Sequence, residues 1–280
     1  MAYKIVVDSC CEYEDIIGEQ SNVAKIPFSM LLEGETIVDD KSFDQMEFIR
    51  KTDESDECPK SACPSPQDFC DAYVGEAQDI YVVTISAALS GCHNSAELGK
   101  KMFAEDVSAD KNIHVFDTKS ASVGEVLVML KIRELAEVGM AFAEIVEKVE
   151  SFIEEMGTYF VLESLETLRK NGRLSKTKAI LANVLNIKPI MCATAEGEIE
   201  KLEQSRGINK ALSRMADIVV GSTSNMKDKI LGITHCNAHQ RALDLKAKFE
   251  KIGDFKEIII VKAAGLSTMY ANNGGIIVCV

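Results

Sequence analysis

Two hydrophobic periods alternate through the first half of the chain. Short β-branched apolar runs at residues 4–7, 80–85 and 113–116 have the length and composition of buried strands. Between and after them, apolar residues recur at helical spacing over 90–104, 123–138 and 142–156, with Gly139 separating the last two. Upstream, 23–32 reads as one longer strand, broken by Glu33-Gly34 and resumed over 35–38. Ser42 is then expected to cap a helix over 43–51, with Phe43, Met46 and Ile49 on one face. The acidic stretch TDESDEC reads as a loop. CPSPQDF reads as a helix start, with Ser65 as the cap, Pro66 at the first helical position and Asp68 in the first turn. Such βαβα alternation predicts parallel strands covered on both faces by helices.

After Gly157 the pattern changes. A strand is expected over 159–162, then a basic turn between two helical pieces in ESLETLRKNGRLSK. Residues 187–193 and 198–204 read as a hairpin around Ala195-Glu196-Gly197. A helix (209–220), strand (229–234), helix (238–252) and strand (257–261) follow, and a Gly/Asn-rich stretch, AGLSTMYANNGG, leads into the closing strand IIVCV. The expected fold is therefore α/β in two domains. Residues 1–157 form a three-layer α/β/α unit on a parallel sheet, and 158–280 form an α/β unit on a mixed sheet.

Composition narrows the function. With 280 residues, 46 % hydrophobic and 27 % charged, the chain has the profile of a globular protein with a sizeable core. A net charge of −13 argues against a nucleic-acid surface, which needs a basic stripe. No apolar run approaches the roughly 20 residues of a bilayer span. The opening MAYKIVVDS runs straight into a strand pattern without a signal-peptide profile, so a cytoplasmic location is expected. The nine scattered cysteines then read as reduced core and loop residues. Cys58, Cys63 and Cys70 lack the tight pair that a zinc site favours, and His235-Cys236-x-x-His239 has a workable spacing but no second cluster to join it, so no metal site is expected.

The chemistry concentrates in TISAALSGCHNSA, where a buried strand ends in small residues and a helix begins. A helix N-terminus offers unpaired N–H groups to an anion. In open α/β sheets ligands sit at the carboxyl ends of strands. Asp8-Ser9, the stretch from Ser86 to Gly91, and Asp117-Thr118 should thus share one crevice, with Ser61 folded over it. Such hydroxyls can hold a carboxylate, or they can simply cap turns and helices, Ser90 included. A serine hydrolase or acyltransferase using Ser90 with His93 is the competing reading, although no G-x-S-x-G elbow is present. Lys170 and Arg173 crowd one basic turn with Arg169, Lys176 and Lys178, and Arg206 follows later with Lys201 and Lys210. They form either a solvated helix end or a docking patch for an anionic partner.

The order of these pieces resembles the DegV family of fatty-acid-binding proteins. KIVVDSC is similar to its first strand, SACPSPQDF to its T-S-x-P-S-P-x-D-F signature, and TISAALSGCHNSA to I-S-S-x-L-S-G-T-Y-x-S-A. HVFDTKSASVGEV, LETLRKNGRLSK, NIKPIM and EQSRGINKAL resemble further family segments, so the likeness covers nearly the whole chain. It implies a carrier without catalysis or cofactor that buries a long-chain fatty acid in an apolar tunnel. The carboxylate is then held by the hydroxyls of Ser61 and Ser90 and by backbone N–H groups at Gly91. It further implies presentation of the acid to a separate fatty acid kinase, with Lys170, Arg173 and Arg206 available for docking. One departure stands out. The family's G-x-H-x-G-P-G-x-x-G can be laid on Gly265 to Gly274, which puts Ser267 at the histidine position and Met269, Tyr270 and Ala271 at Gly-Pro-Gly. The hydroxyls of Ser267, Thr268 and Tyr270 are the candidate replacements for the missing imidazole.

Overall fold

The computed structural model describes residues 3–107, 110–174 and 186–280. Strands β1 (Tyr3–Asp8), β2 (Val23–Ile26), β6 (Asp79–Thr84) and β7 (Asn112–Asp117) form a parallel sheet in the order β2-β1-β6-β7. Successive side chains of a strand point to opposite faces. Ile5, Val7, Tyr81 and Val83 therefore pack on α5 (Val123–Glu137) and α6 (Phe142–Glu155). Val6, Ile80, Val82 and Val115 pack on α3 (Pro66–Ala72) and α4 (Cys92–Asp106). This is the three-layer arrangement that the alternation predicts.

The second sheet is mixed, as expected. It comprises β8 (Thr158–Val161), β9 (Ile187–Ala193), β10 (Ile199–Arg206), β11 (Ile230–His235), β12 (Glu257–Lys262) and β13 (Ile276–Cys279), in the order β10-β9-β8-β13-β11-β12. Only β11 and β12 pair in parallel. Helices α8 (Ile208–Ser222) and α9 (His239–Ile252) cover one face over Val161, Ile190, Ile233 and Val278. Helix α5 covers part of the other face, packing with Val261 and Cys279 while also packing on the first sheet. Residues Val123 to Met129 are all buried, as a helix between two sheets requires.

Three local differences from the sequence reading shape the site. The run 23–32 is two strands in two sheets, because Pro27 has no N–H to continue a ladder and the Phe28 N–H donates to Ser9 Oγ (3.0 Å). The chain then enters a small antiparallel sheet of β3 (Ser29–Leu32), β4 (Glu35–Val38) and β5 (Lys60–Ala62), in the order β4-β3-β5. Helix α2 (Gln45–Glu54) is capped by Asp44, which accepts from the N–H groups of Met46 and Glu47. Ser42 is instead engaged by Asp40 (2.6 Å), and the helix takes in the first residues of the acidic stretch. Ser65 caps α3 in a full capping box with Asp68, as read. The Gly/Asn-rich stretch near the C-terminus is a helix, α10 (Gly265–Ala271). Short helices α1 (Glu14–Ile17) and α7 (Glu166–Lys170) complete the described elements used below. Lys176, Lys178 and the second helical piece of the basic turn lie outside the described residues. Among the described residues no helix is long and apolar enough to cross a membrane.

Candidate binding site

The carboxyl ends of β1, β6 and β7 meet as predicted, but their two aspartates build the loops and do not line the opening. Asp8 Oδ1 accepts from Cys10 N–H (2.9 Å) and Oδ2 from Ile85 N–H (2.8 Å). Asp117 Oδ1 accepts from the N–H groups of Ala87 and Lys119 (3.0 Å each). Ser86 donates its hydroxyl to the Gly197 carbonyl (2.9 Å), fastening the tip of the β9–β10 hairpin over this end of the parallel sheet. Gly197 sits at φ +76°, and a Cβ there would come within 2.3 Å of Ser86 Oγ, so the contact demands glycine.

Between these loops, the mixed sheet and α10 lies a cavity with about 840 Å³ of unfilled space, part of it open to solvent. Its walls are mainly apolar, with Phe28, Ile85, Leu89, Phe160, Leu162 and Leu266 among them. Ser61, Ser90, Ser267, Tyr270 and Arg173 also line it. Ser61 lies on β5, and its Oγ is 3.0 Å from the Tyr270 hydroxyl on α10. Gly91, not Ser90, is the N-cap of α4, while Ser90 Oγ accepts from Cys92 N–H (3.2 Å). The capping reading of Ser90 is therefore met one residue out of place, and the hydroxyl still faces the cavity.

The C-terminal candidates separate. Ser267 is buried with Oγ 3.4 Å from Cys10 Sγ. Thr268 turns away: its hydroxyl accepts from Gln45 Nε2 (2.8 Å) and donates to the Ala263 carbonyl (3.3 Å). Of the basic residues, Arg173 is half-buried in the cavity wall and donates to the carbonyls of Leu89 (3.2 Å) and Asn171. Lys170 at the end of α7 and Arg206 at the end of β10 are exposed.

Helix α10 presents Ser267 and Tyr270, and three buried side chains outside it hold its start. Asp39 takes the N–H groups of Gly265 (2.6 Å) and Leu266 (2.9 Å), along with the Ser9 hydroxyl (2.8 Å). Glu12 accepts from Ala264 N–H (3.1 Å), and the Gln45 amide reaches the Ala263 carbonyl (2.9 Å). Burial raises both carboxyls, Glu12 to about 7, against the lowering effect of these hydrogen bonds. A Cβ at Gly265 would meet Asp39 Oδ1 at 2.6 Å, which explains glycine at this position. The sequence signal for α10 was Leu266 and Met269 three apart with Asn272 after them. Asn272 has φ 56° at the C-cap.

The hydrolase arrangement does not assemble. His93 Nδ1 lies 3.4 Å from Thr84 Oγ1, and no hydrogen bond joins His93 to Ser90 among the described residues. His235 Nε2 and His239 Nδ1 approach to 3.3 Å, but Cys236 turns toward Gln45. Among the described residues, Asp8, Cys10 and Glu125 bring three potential ligand atoms within 4.8 Å of one another. All nine cysteines are free thiols.

A model of the DegV family, described as uncharacterised proteins, matches residues 2–280. A DegV domain-containing protein of Streptococcus pneumoniae is 33 % identical over 280 residues, covering 99 % of this chain and 98 % of that one. The crystal structure of a DegV family protein from Ruminococcus gnavus, refined with vaccenic acid, superposes with a TM-score of 0.97 at 46 % identity over the whole of both chains. The S. pneumoniae Fatty Acid Kinase (Fak) B3 protein loaded with linoleic acid superposes at 0.89 with 32 % identity, covering 100 % of this chain and 99 % of the other. A DegV family protein from Eubacterium eligens loaded with heptadecanoic acid superposes at 0.90 with 27 % identity, over 99 % of each chain. The sequence signatures, the fold and these matches agree: the chain belongs to the DegV family.

Proposed function

We propose that this protein binds a long-chain fatty acid in the cavity and presents its carboxylate to a separate fatty acid kinase, without catalysis or cofactor of its own. The acyl chain lies along the apolar wall, between residues 1–157 and 158–280, which we take as two domains. Ser61, Ser90 and Tyr270 hold the carboxylate, with Gly91 at the start of α4 beside them. Arg173 at the wall adds a positive charge. Lys170, Arg173 and Arg206 form the kinase-facing surface, and the exchange takes place in the cytoplasm.

The observation that carries this reading is the pairing of an apolar cavity with the Ser61–Tyr270 hydroxyl pair, 3.0 Å apart, at its edge. It is supported by the fatty acids carried by the similar DegV structures. The energetics fit. Each buried methylene contributes about 0.8 kcal/mol, so the chain supplies the affinity. The polar head needs only enough donors to offset its desolvation and fix its direction. Tyr270 takes the role that the resemblance assigns to a histidine, because Ser267 at the aligned position is turned toward Cys10.

Native mass spectrometry of the purified protein, followed by lipid extraction, tests the proposal. One fatty acid per chain is the expected result. A chain that carries no lipid and takes up neither oleic nor palmitic acid overturns it.

A further inference from the structure

Glu125 directly follows Gly124 as the third residue of α5, and it has no part in the proposed fatty-acid site. It is fully buried, and both carboxylate oxygens lack a hydrogen-bond donor among the described residues. One of them lies within 4.8 Å of an Asp8 oxygen and of Cys10 Sγ. Asp8 differs sharply: it accepts from two backbone N–H groups and from the Cys92 thiol (3.3 Å). Donors of this kind favour an ionised carboxylate, whereas burial beside a like charge disfavours one. Two buried carboxylates this close cannot both be charged unless a cation neutralises them.

We propose that Glu125 is held protonated and donates its hydroxyl proton to Asp8, making it a positioning residue for the fatty-acid head group. Asp8 ties the end of β1 to Ile85 and Cys92, the residues that flank the loop carrying Ser90 and Gly91. A donor from Glu125 fixes Asp8 from the α5 side. The inference rests on the fatty-acid reading for its functional consequence, but the proton itself is testable without any ligand.

The groups around Glu125 agree. Asp8 at the end of β1, Cys10, Cys11 and Glu12 in the loop after it, and Cys92 of α4 interact electrostatically with it. On the neighbouring elements, β11 brings Thr234, bonded to Ser122, and β13 brings Cys279, while α6 packs Ile145 and Val149 against this core. The cation acting on the cluster is Lys25 of β2, through Cys11 and Glu12, and it is paired with Glu14. Burial, with the charges of Asp8 and Glu12, pushes the Glu125 carboxyl well above its ordinary range.

The test compares the full chain with Glu125→Gln and Glu125→Met. Infrared difference spectra at neutral pH should show a protonated carboxyl band in the parent that Glu125→Gln lacks. From about pH 5 upward, the parent's folding equilibrium should fall up to about tenfold per pH unit more than that of Glu125→Gln, until Glu125 has titrated. For oleic acid, Glu125→Met, which has no donor, should bind several-fold more weakly, and the amide of Glu125→Gln should restore the affinity. Identical spectra and pH slopes in parent and Glu125→Gln overturn the proton assignment. One equivalent of a divalent metal in the purified parent, absent from Glu125→Gln, also overturns it, since a cation then neutralises the pair. Unchanged affinity in a folded Glu125→Met overturns the positioning role. A parent that binds no fatty acid defeats the carrier reading and leaves the infrared test of the proton standing.

Discussion

At the scale of single residues, the hydroxyls proposed to hold the carboxylate already have one partner each. Ser61 and Tyr270 bond each other, and Ser90 accepts from Cys92 N–H, so these groups are oriented before a carboxylate arrives. Hydrogen bonds to a charged group contribute about 1.5–3 kcal/mol each. Tyr270→Phe and Ser61→Ala should each weaken oleic acid binding by roughly tenfold or more in calorimetric titration. Because the two groups touch, the double variant should lose less than the sum of the two. Strict additivity would mean that they do not act as one unit. That Ser61 and Ser90 border one opening was legible in the sequence, because a helix start capped by Ser65 with Pro66 in its first turn and a strand-to-helix turn announce their surroundings. The choice among Ser267, Thr268 and Tyr270 was not. It depends on the rotation of a helix whose start is held by Asp39, Glu12 and Gln45, all distant in sequence.

At the scale of elements, α10 and the β9–β10 hairpin are parts of the cavity wall held by contacts far apart in the chain. Asp39→Asn keeps the shape but removes the charge from two short hydrogen bonds. It should lower the melting temperature and weaken fatty-acid binding together, because Tyr270 rides on the helix. Loss of stability with full affinity would separate the helix start from the site. Gly197→Ala forces a side chain into a left-handed turn against Ser86. It should destabilise the protein by about 1–3 kcal/mol in denaturant unfolding. Glu12 joins α10 to α5 by accepting from Ala264 N–H and from Ser122 Oγ (2.8 Å). Its folded value of about 7 lies above the 4.5 of an ordinary glutamate. Its stabilising contribution is therefore complete below about pH 4.5 and is lost as the pH rises through about 7. The difference is on the order of 3 kcal/mol. Thermal melts of Glu12→Gln across that window should show a correspondingly flatter pH dependence than the parent.

At the scale of the whole molecule, the layer order of the parallel sheet and the mixed character of the second were legible because each is written in local periodicity. The third sheet and α10 were not. Residues 29–32 and 35–38 read as strand but not as a sheet apart from the first, and β5, three residues long and separated from β3 by an entire helix, did not read as strand. Only tertiary pairing distinguishes such a piece from loop. These same pieces close the cavity: β5 supplies Ser61, α10 supplies Tyr270, and Met30 of β3 packs with Phe48 and Met269 beneath them. The mixed sheet supplies Phe160 and Ile277 to the other wall. A ligand in contact with every layer binds the folded state alone, so its binding free energy adds to folding stability. At a free oleic acid concentration of 100 times the dissociation constant, the gain is about 2.7 kcal/mol. For a chain of this size that corresponds to a rise in melting temperature of roughly 5–10 °C. The comparison is between delipidated protein and the same sample titrated with oleic acid, with both melts followed by circular dichroism. Octane, which matches the apolar wall but has no carboxylate, should give a much smaller shift. Equal shifts with octane and oleic acid would mean that the cavity recognises only the chain and that Ser61, Ser90 and Tyr270 do not act on its head.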